Sequence, residues 1–306
     1  MHGKAAPATA WRTVCLAFAI FMAIGVTAHA QTPAVRANPL ADGATLGAAV
    51  LGSFALSGLS VHKSQWRGEL LPIDESVRGA FSREDAEASD ATLAVAIAFP
   101  IAAEAARPHA DSLSMAPPYA EALAVGVLVN TASKYLVSRP RPYVYGDDPE
   151  AEIRVRRAGD DAYLSFYSGH ATAAFAAAVA GSTLFSYSEP NRAARALVWG
   201  PEMALASATA VLRVRAGQHY PSDVLFGAVV GSAVGLLVAR AHFSDRDFYS
   251  PSTAEWAAIG GGLLVGSTVS LLPRRAAAAD VTGSSVVVAP WPLRGGGGVL
   301  AGGLLF

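Results

Sequence analysis

The sequence predicts an all-α protein: a bundle of about six core helices embedded in a membrane, with an irregular or short-stranded glycine-rich C-terminal tail. Of its 306 residues, 52% are hydrophobic and only 15% are charged, and the mean hydropathy is +0.35. The apolar residues form stretches of helical length separated by polar connectors. Small-residue stripes such as "AAFAAAVAG" and "GAVVGSAVG" suit close helix–helix packing. A soluble buried bundle would carry the same stripes and stays open as an alternative.

The first thirty residues are typical of an export signal. Lys4 and Arg12 give a basic start, an apolar run follows, and Ala28-His29-Ala30 is a small-x-small cleavage site. An uncleaved N-terminal membrane helix is the alternative. Cys15 is the only cysteine and lies in this segment, so the mature chain is expected to have no thiol nucleophile, disulfide or thiolate metal site.

Seven apolar stretches follow, and we expect each to be helical. Their approximate bounds are 44–61, 91–106, 119–137, 171–187, 196–211, 224–239 and 256–272. Residues 44–242 are predicted to form one domain, and residues 243–306 a C-terminal extension with one further apolar segment. The connector 71–89 is expected to be an amphipathic surface helix. The connector 140–163 is predicted to be a long functional loop.

The net charge of the chain limits the classes of partner that it is expected to bind. A net charge of −1 provides no basic surface for nucleic acid, so none is expected as a partner. Membrane lipids are the expected surroundings, and the sequence leaves the oligomeric state open. His62, His109 and His242 have no evident partner in the sequence pattern and are expected to be structural.

Polar side chains gather where three of the apolar stretches begin or end. The residues concerned are Lys134, Arg139, Arg141, Ser168, Gly169, His170, Arg213, Arg215, His219 and Asp223. If successive helices run antiparallel, the end of the third stretch, the start of the fourth and the turn after the fifth meet at one end of the bundle. The helix order alone therefore predicts a single site.

The chemistry of these residues points to a phosphoryl group. Guanidinium and ammonium groups hold phosphate oxygens and neutralise developing charge, and a helix N-terminus adds backbone donors. His170 and His219 are suited to nucleophilic and acid–base work. Asp223, four residues after His219, is predicted to bond one imidazole nitrogen and free the other. Pro221 is expected in a first helical turn, with His219 just outside that helix.

Three motifs resemble those of the type 2 phosphatidic acid phosphatase superfamily, which includes vanadium haloperoxidases and bacterial non-specific acid phosphatases. Lys134 and Arg141-Pro142 match a lysine, six residues and Arg-Pro. Ser168-Gly169-His170 matches the end of Pro-Ser-Gly-His. The third motif is Ser-Arg, five residues, His, three residues, Asp; its matches are Arg213, His219 and Asp223. The resemblance covers about residues 91–240.

Two positions depart from the family pattern. Tyr167 replaces the proline of the second motif, and Leu212 replaces the serine of the third. Neither change removes a catalytic group, so we expect activity to be retained, with a modest change of loop geometry at Tyr167.

The resemblance implies a phosphatase with a phosphohistidine intermediate. In this scheme His219 attacks phosphorus, Asp223 orients it, and His170 protonates the leaving oxygen. The implied phosphate-binding groups are Lys134, Arg141, Arg213, Ser168 and the backbone N–H of Gly169. No metal or other cofactor is implied, and vanadate would be an inhibitor.

The sequence is consistent with four hypotheses about function. The first is a lipid phosphate phosphatase of the bacterial inner membrane with its site facing the periplasm, acting on a phosphomonoester or diphosphate. The second is a soluble exported acid phosphatase in the periplasm. The third is a haloperoxidase with vanadate as cofactor. The fourth is an inactive structural protein of the outer membrane. The sequence does not identify the phosphorylated substrate.

Overall fold

The computed structural model describes residues 38–61, 63, 66–107, 112–243 and 249–272, together with the backbone of two short strands. The predicted export signal, His62 and His109 lie outside these residues. The helices are α1 Pro39–Ser57, α2 Pro72–Glu75, α3 Arg83–Ala105, α4 Ser112–Val137, α5 Ala151–Ala158, α6 Gly169–Ser188, α7 Arg192–Arg215, α8 Pro221–Ala241 and α9 Thr253–Leu271. Two 3-10 helices span Pro142–Tyr145 and Gly159–Tyr163. Strands β1 Pro292–Leu293 and β2 Gly296–Gly297 pair antiparallel in the tail.

The all-α fold class is confirmed, and each of the seven apolar stretches overlaps a long helix: α1, α3, α4, α6, α7, α8 or α9. The first stretch was predicted to reach residue 61, but α1 ends at Ser57. The prediction for the connector 71–89 is wrong. Only the four residues of α2 are helical before α3 begins at Arg83. The reason is the cap: the Ser82 hydroxyl accepts from the Asp85 backbone N–H at 3.2 Å and starts α3 ahead of its apolar part.

The connector 140–163 also holds more structure than a loop. It contains α5 and both 3-10 helices. Within it, Tyr143 is buried, and its backbone N–H donates to the Gly217 carbonyl at 3.3 Å. This connector is therefore fixed against the turn between α7 and α8.

Helix α6 lies at the centre of the bundle and is buried over most of its length, because small residues let its neighbours approach closely. The closest approach is made by α8 through Gly227, Gly231 and Gly235. A Cβ at Gly231 would lie 2.3 Å from the Thr172 carbonyl oxygen, so glycine is required there. The predicted small-residue packing is confirmed at this interface, which fixes the starts of α6 and α8 side by side.

Three described helices, α1, α3 and α8, are long and apolar enough to cross a membrane. Helix α8 is the most apolar, with a mean hydropathy of 2.0 over its best window. Its outer face exposes Leu225, Val229 and Leu237, while its glycines face α6. This division into an apolar outer face and a close-packed inner face suits a helix in contact with lipid.

Candidate active site

The three sequence motifs meet at one end of the bundle. Lys134 lies in the last turn of α4, and its charge interacts with those of Arg141, Asp161 and Arg213. The Ser168 backbone N–H, just before α6, donates to the Asp223 carbonyl at 3.1 Å in the first turn of α8. The helix order predicted this convergence, and the structure brings all of the predicted residues to the same end.

His219 is held as a neutral imidazole. It is 1% exposed, and its Nδ1 lies 2.8 Å from the Ser165 carbonyl oxygen. Since a carbonyl only accepts, Nδ1 carries the proton and Nε2 is left with its lone pair. Burial, and then the charges of Arg141 and Arg213, hold the pKa of His219 well below its ordinary value. Nε2 therefore accepts a hydrogen bond from Arg141 Nη1 at 3.3 Å.

The local fold of this turn follows the prediction. Pro221 is the first residue of α8 and Tyr220 is its N-cap, so His219 lies just outside the helix and Asp223 inside it. The Tyr220 backbone N–H donates to Asp223 Oδ2 at 3.0 Å.

The predicted direct bond between Asp223 and His219 is not formed. Asp223 Oδ2 is 3.9 Å from His219 Nδ1, which is beyond hydrogen-bonding distance. The carboxylate instead accepts from Ser165 Oγ at 2.6 Å and from Arg139 Nη1 at 2.6 Å. Asp223 therefore acts on His219 indirectly, by holding the Ser165 segment whose carbonyl orients the imidazole.

Arg139 is a buried bridge behind the site. Its guanidinium pairs with Asp223 and, at 2.8 Å, with Asp74, and it lies 4.1 Å from the centre of the Tyr220 ring. Asp74 also accepts from the Ser222 backbone N–H at 3.0 Å. Burial alone would raise the pKa of Asp74, but the hydrogen bonds from Arg139 and Ser222 outweigh it and lower that pKa. This bridge joins α2, the connector after α4 and α8.

Arg141 is held by Asp161, which the sequence analysis did not identify. Its Nη2 donates to Asp161 Oδ1 at 2.7 Å, and its Nε donates to the Asp161 carbonyl at 2.8 Å. Burial would raise the pKa of Asp161, but the charges of Arg141 and Lys134 outweigh it and lower that pKa. The pair fixes the guanidinium so that Nη1 faces His219.

His170 and Arg213 share a second unpredicted carboxylate, Asp90 of α3. His170 Nε2 lies 2.7 Å from Asp90 Oδ1, and Arg213 Nη1 lies 3.6 Å from the same oxygen. Burial and the Arg213 charge lower the pKa of His170 to about 4, whereas Asp90 opposes them. Asp90 was missed because it lies between the connector 71–89 and the apolar stretch that begins at residue 91; the Ser82-x-x-Asp85 capping pattern would have placed it in α3, but not beside His170.

Ser168 and Gly169 form the entry to α6. Ser168 is the N-cap, and its hydroxyl accepts from the Ala171 backbone N–H at 3.3 Å. A Cβ at Gly169 would lie 2.9 Å from Asn130 Oδ1, so a larger residue would displace the Asn130 amide that bonds the Tyr167 carbonyl. The first N–H groups of a helix have no partner within it, which leaves this entry suited to an anion.

The two departures from the family pattern are accommodated in the interior. Tyr167 is 1% exposed, and its ring packs against those of Phe166 and Phe226 at centroid distances of 5.7 and 5.5 Å. Its carbonyl accepts from Asn130 Nδ2 at 2.7 Å. Leu212 is likewise buried. Both side chains are therefore buried next to residues of the motifs.

Comparisons with known proteins agree with the three motifs. Residues 117–247 match the family model described as the PAP2 superfamily, which confirms the resemblance. Two curated relatives, named decaprenylphosphoryl-5-phosphoribose phosphatase, come from Mycobacterium tuberculosis strains CDC 1551 / Oshkosh and ATCC 25618 / H37Rv. Each is 36% identical over 115 residues, covering 38% of this chain and 52% of the relative. The chain thus spans about half the length of these curated relatives. No solved structure matches significantly.

Proposed function

We propose that the PAP2 superfamily segment of this chain is the catalytic domain of a phosphatase that hydrolyses a lipid phosphomonoester or diphosphate through a phosphohistidine on His219. One observation carries the proposal. His219 presents an unprotonated Nε2 to a guanidinium while its Nδ1–H is fixed by a backbone carbonyl. A neutral, buried imidazole among cations is arranged to attack an electrophile that carries negative charge.

The cations around His219 would bind the phosphoryl oxygens. Arg141 and Lys134 approach from the α4 side and Arg213 from the end of α7. Arg213 Nε is buried, and no described residue accepts a hydrogen bond from it. A phosphate oxygen would satisfy this donor, and the entry of α6 at Gly169 would add backbone N–H groups. These donors supply the charge stabilisation, so the proposed reaction requires no metal.

The proposed reaction has two steps. First, His219 Nε2 attacks phosphorus while the bond from phosphorus to the leaving oxygen breaks, and protonated His170 gives its proton to that oxygen. Next, His170 takes a proton from a water that attacks the phosphohistidine, and the N–P bond breaks to release inorganic phosphate and neutral His219. The negative charge of bound substrate favours protonated His170, and Asp90 keeps the imidazole oriented.

Two lines of support favour a lipid substrate. The bundle exposes apolar side chains on α8, beside the helix start that carries Asp223. The curated relatives are named as phosphatases of a lipid-linked phosphoribose. We therefore propose that the protein lies in the bacterial inner membrane, and we keep as part of this proposal the expectation from the sequence that its site faces the periplasm. Retention in the membrane after a carbonate wash tests this against the soluble alternative.

A substrate panel tests the function. Purified protein is assayed for phosphate release from phosphatidic acid, phosphatidylglycerol phosphate, an isoprenyl diphosphate, lipid A phosphate and a polyprenylphosphoryl-5-phosphoribose. We expect release from at least one lipid, inhibition by vanadate, and no release by His219→Ala. Bromide or chloride oxidation with vanadate, without phosphate release from any substrate, would instead identify a haloperoxidase.

A further inference from the structure

A second buried polar cluster lies far from the phosphate-binding end. Asp42 is in the first turn of α1, Glu121 lies in α4, and His242 caps the C-terminus of α8. Because α8 rises about 1.5 Å per residue, His242 lies about 28 Å from Asp223 along the helix. The expectation that His242 has no partner is therefore wrong: the fold brings it to two carboxylates that are distant in sequence.

The spacing of these three groups suits a bound cation better than hydrogen bonds. His242 Nε2 lies 3.6 Å from Asp42 Oδ1 and 3.6 Å from Glu121 Oε2. Both distances exceed the hydrogen-bonding range. Ligand atoms that surround a tetrahedral Zn²⁺ at about 2.1 Å are about 3.4 Å from one another. The three ligand atoms all lie within 4.8 Å of one another, so small shifts would close them on one ion.

The surroundings of each of the three side chains are consistent with metal coordination. His242 Nδ1 donates to the Val238 carbonyl at 2.9 Å, so Nε2 is the ring nitrogen that faces the carboxylates and could coordinate an ion. Asp42 Oδ2 accepts from the Asn38 backbone N–H at 3.0 Å, which fixes that carboxylate. Glu121 is only 5% exposed, and its buried Oε1 has no hydrogen-bond donor within the described part of the chain. A buried carboxylate oxygen without a donor indicates a missing positive partner.

We propose that Asp42, Glu121 and His242 bind a divalent cation of the Zn²⁺ class, with water completing the coordination. One imidazole nitrogen and two carboxylates suit Zn²⁺, whereas Mg²⁺ and Ca²⁺ favour oxygen ligands alone. A divalent ion balances the charge of the two carboxylates. Its role is structural: it fastens α1 to α4 and α8 at the end of the bundle remote from His219, and it is independent of the phosphatase proposal.

Metal titration of the full-length protein tests the site. Protein stripped with a chelator is titrated with Zn²⁺, and bound metal and melting temperature are measured. We expect one Zn²⁺ per chain and a higher melting temperature on loading. His242→Gln and Glu121→Gln should each weaken binding by about 100-fold or more, since each removes a ligand. His219→Gln and the exposed Glu152→Gln should bind like the wild type.

The same titration can also contradict the proposal. If the stripped wild-type protein takes up no Zn²⁺, or if His242→Gln and Glu121→Gln bind as tightly as Glu152→Gln, the cluster is not a metal site. Co²⁺ loading of the wild type gives a test that needs no variant. We expect the visible absorption of a low-coordinate Co²⁺ site, and its absence counts against the proposal.

Discussion

The Nδ1 of His219 lies 2.8 Å from the Ser165 carbonyl oxygen, whereas Asp223 Oδ2 lies 3.9 Å from the same nitrogen. The imidazole is therefore oriented by the backbone of the segment that precedes α6. Asp223 holds that segment through Ser165 Oγ and is itself held by Arg139. In this arrangement, the carboxylate of the third motif supports His219 through one intermediary, Ser165, rather than by contact.

Arg139 should contribute mainly to stability. Its guanidinium is buried between Asp74 and Asp223, so Arg139→Ala leaves two buried carboxylates without a counter-charge. We expect a loss of about 3–5 kcal/mol in the free energy of unfolding, measured by denaturation in detergent. The matched control is Arg156→Ala, which removes an exposed pair with Glu152 and should cost less than about 1 kcal/mol. Similar losses in both variants would contradict the buried bridge.

Asp90 should affect the step that releases the leaving group. Since it bonds His170, Asp90→Asn should lower kcat for an alkyl phosphate, and His170→Ala should lower it by about 100-fold or more. Both losses should shrink for p-nitrophenyl phosphate, whose leaving oxygen needs no proton. Steady-state kinetics on the two substrates provide the comparison. Equal losses on both would indicate that Asp90 and His170 act on binding or folding instead.

Burial of neutral His219 should make stability depend on pH. Its pKa is lowered in the folded protein, so below the ordinary pKa of about 6.5 the unfolded chain binds a proton that the folded chain does not. Stability is then lost as pH falls through that value. Between pH 7.5 and 5.5 we expect the wild type to lose about 1 kcal/mol more than His219→Gln does. Parallel pH profiles for the two proteins would contradict a buried neutral His219.

Close packing of α6 on α8 should be required for both stability and activity. Gly231→Ala places a methyl group where the Thr172 carbonyl oxygen lies 2.3 Å away, so the helices must separate. We expect destabilisation of about 1–3 kcal/mol and reduced turnover, because these helices carry His170 and Asp223.

The control for this interface is Gly260→Ala in α9, where an added methyl group meets nothing within 4 Å. It should be neutral or slightly stabilising, because alanine favours a helix over glycine. Equal behaviour of Gly231→Ala and Gly260→Ala in unfolding and turnover would show that the interface tolerates added bulk.

Much of the site was predictable because helix order decides which helix ends meet. Lys134, His170 and His219 come together for that reason, and the position of Pro221 in the first turn of α8 follows from its fixed φ angle. The carboxylates Asp90 and Asp161 were not predictable in the same way. Their pairing with His170 and Arg141 depends on side-chain directions within the packed bundle, which no local pattern records.

The error over Asp223 has a related physical cause. A spacing of four residues predicted proximity to His219, and the two side chains are indeed close. This spacing could not show which acceptor His219 Nδ1 bonds, because that acceptor, the Ser165 carbonyl, belongs to a segment 54 residues earlier. The cluster of Asp42, Glu121 and His242 was missed for the same reason, since its members come from three distant helices.

The central claim is that His219 becomes phosphorylated during turnover. Its test must distinguish acid-labile phosphoryl linkages on the protein from acid-stable ones. Protein is mixed with a ³²P-labelled substrate, quenched within milliseconds, and analysed for label that survives alkali but is lost in acid, as a phosphohistidine is. We predict such label on the peptide containing His219 in the wild type, more of it in a variant slowed at hydrolysis, and none in His219→Ala. Phosphate release by His219→Ala at the wild-type rate, or label on any other residue, would contradict the account.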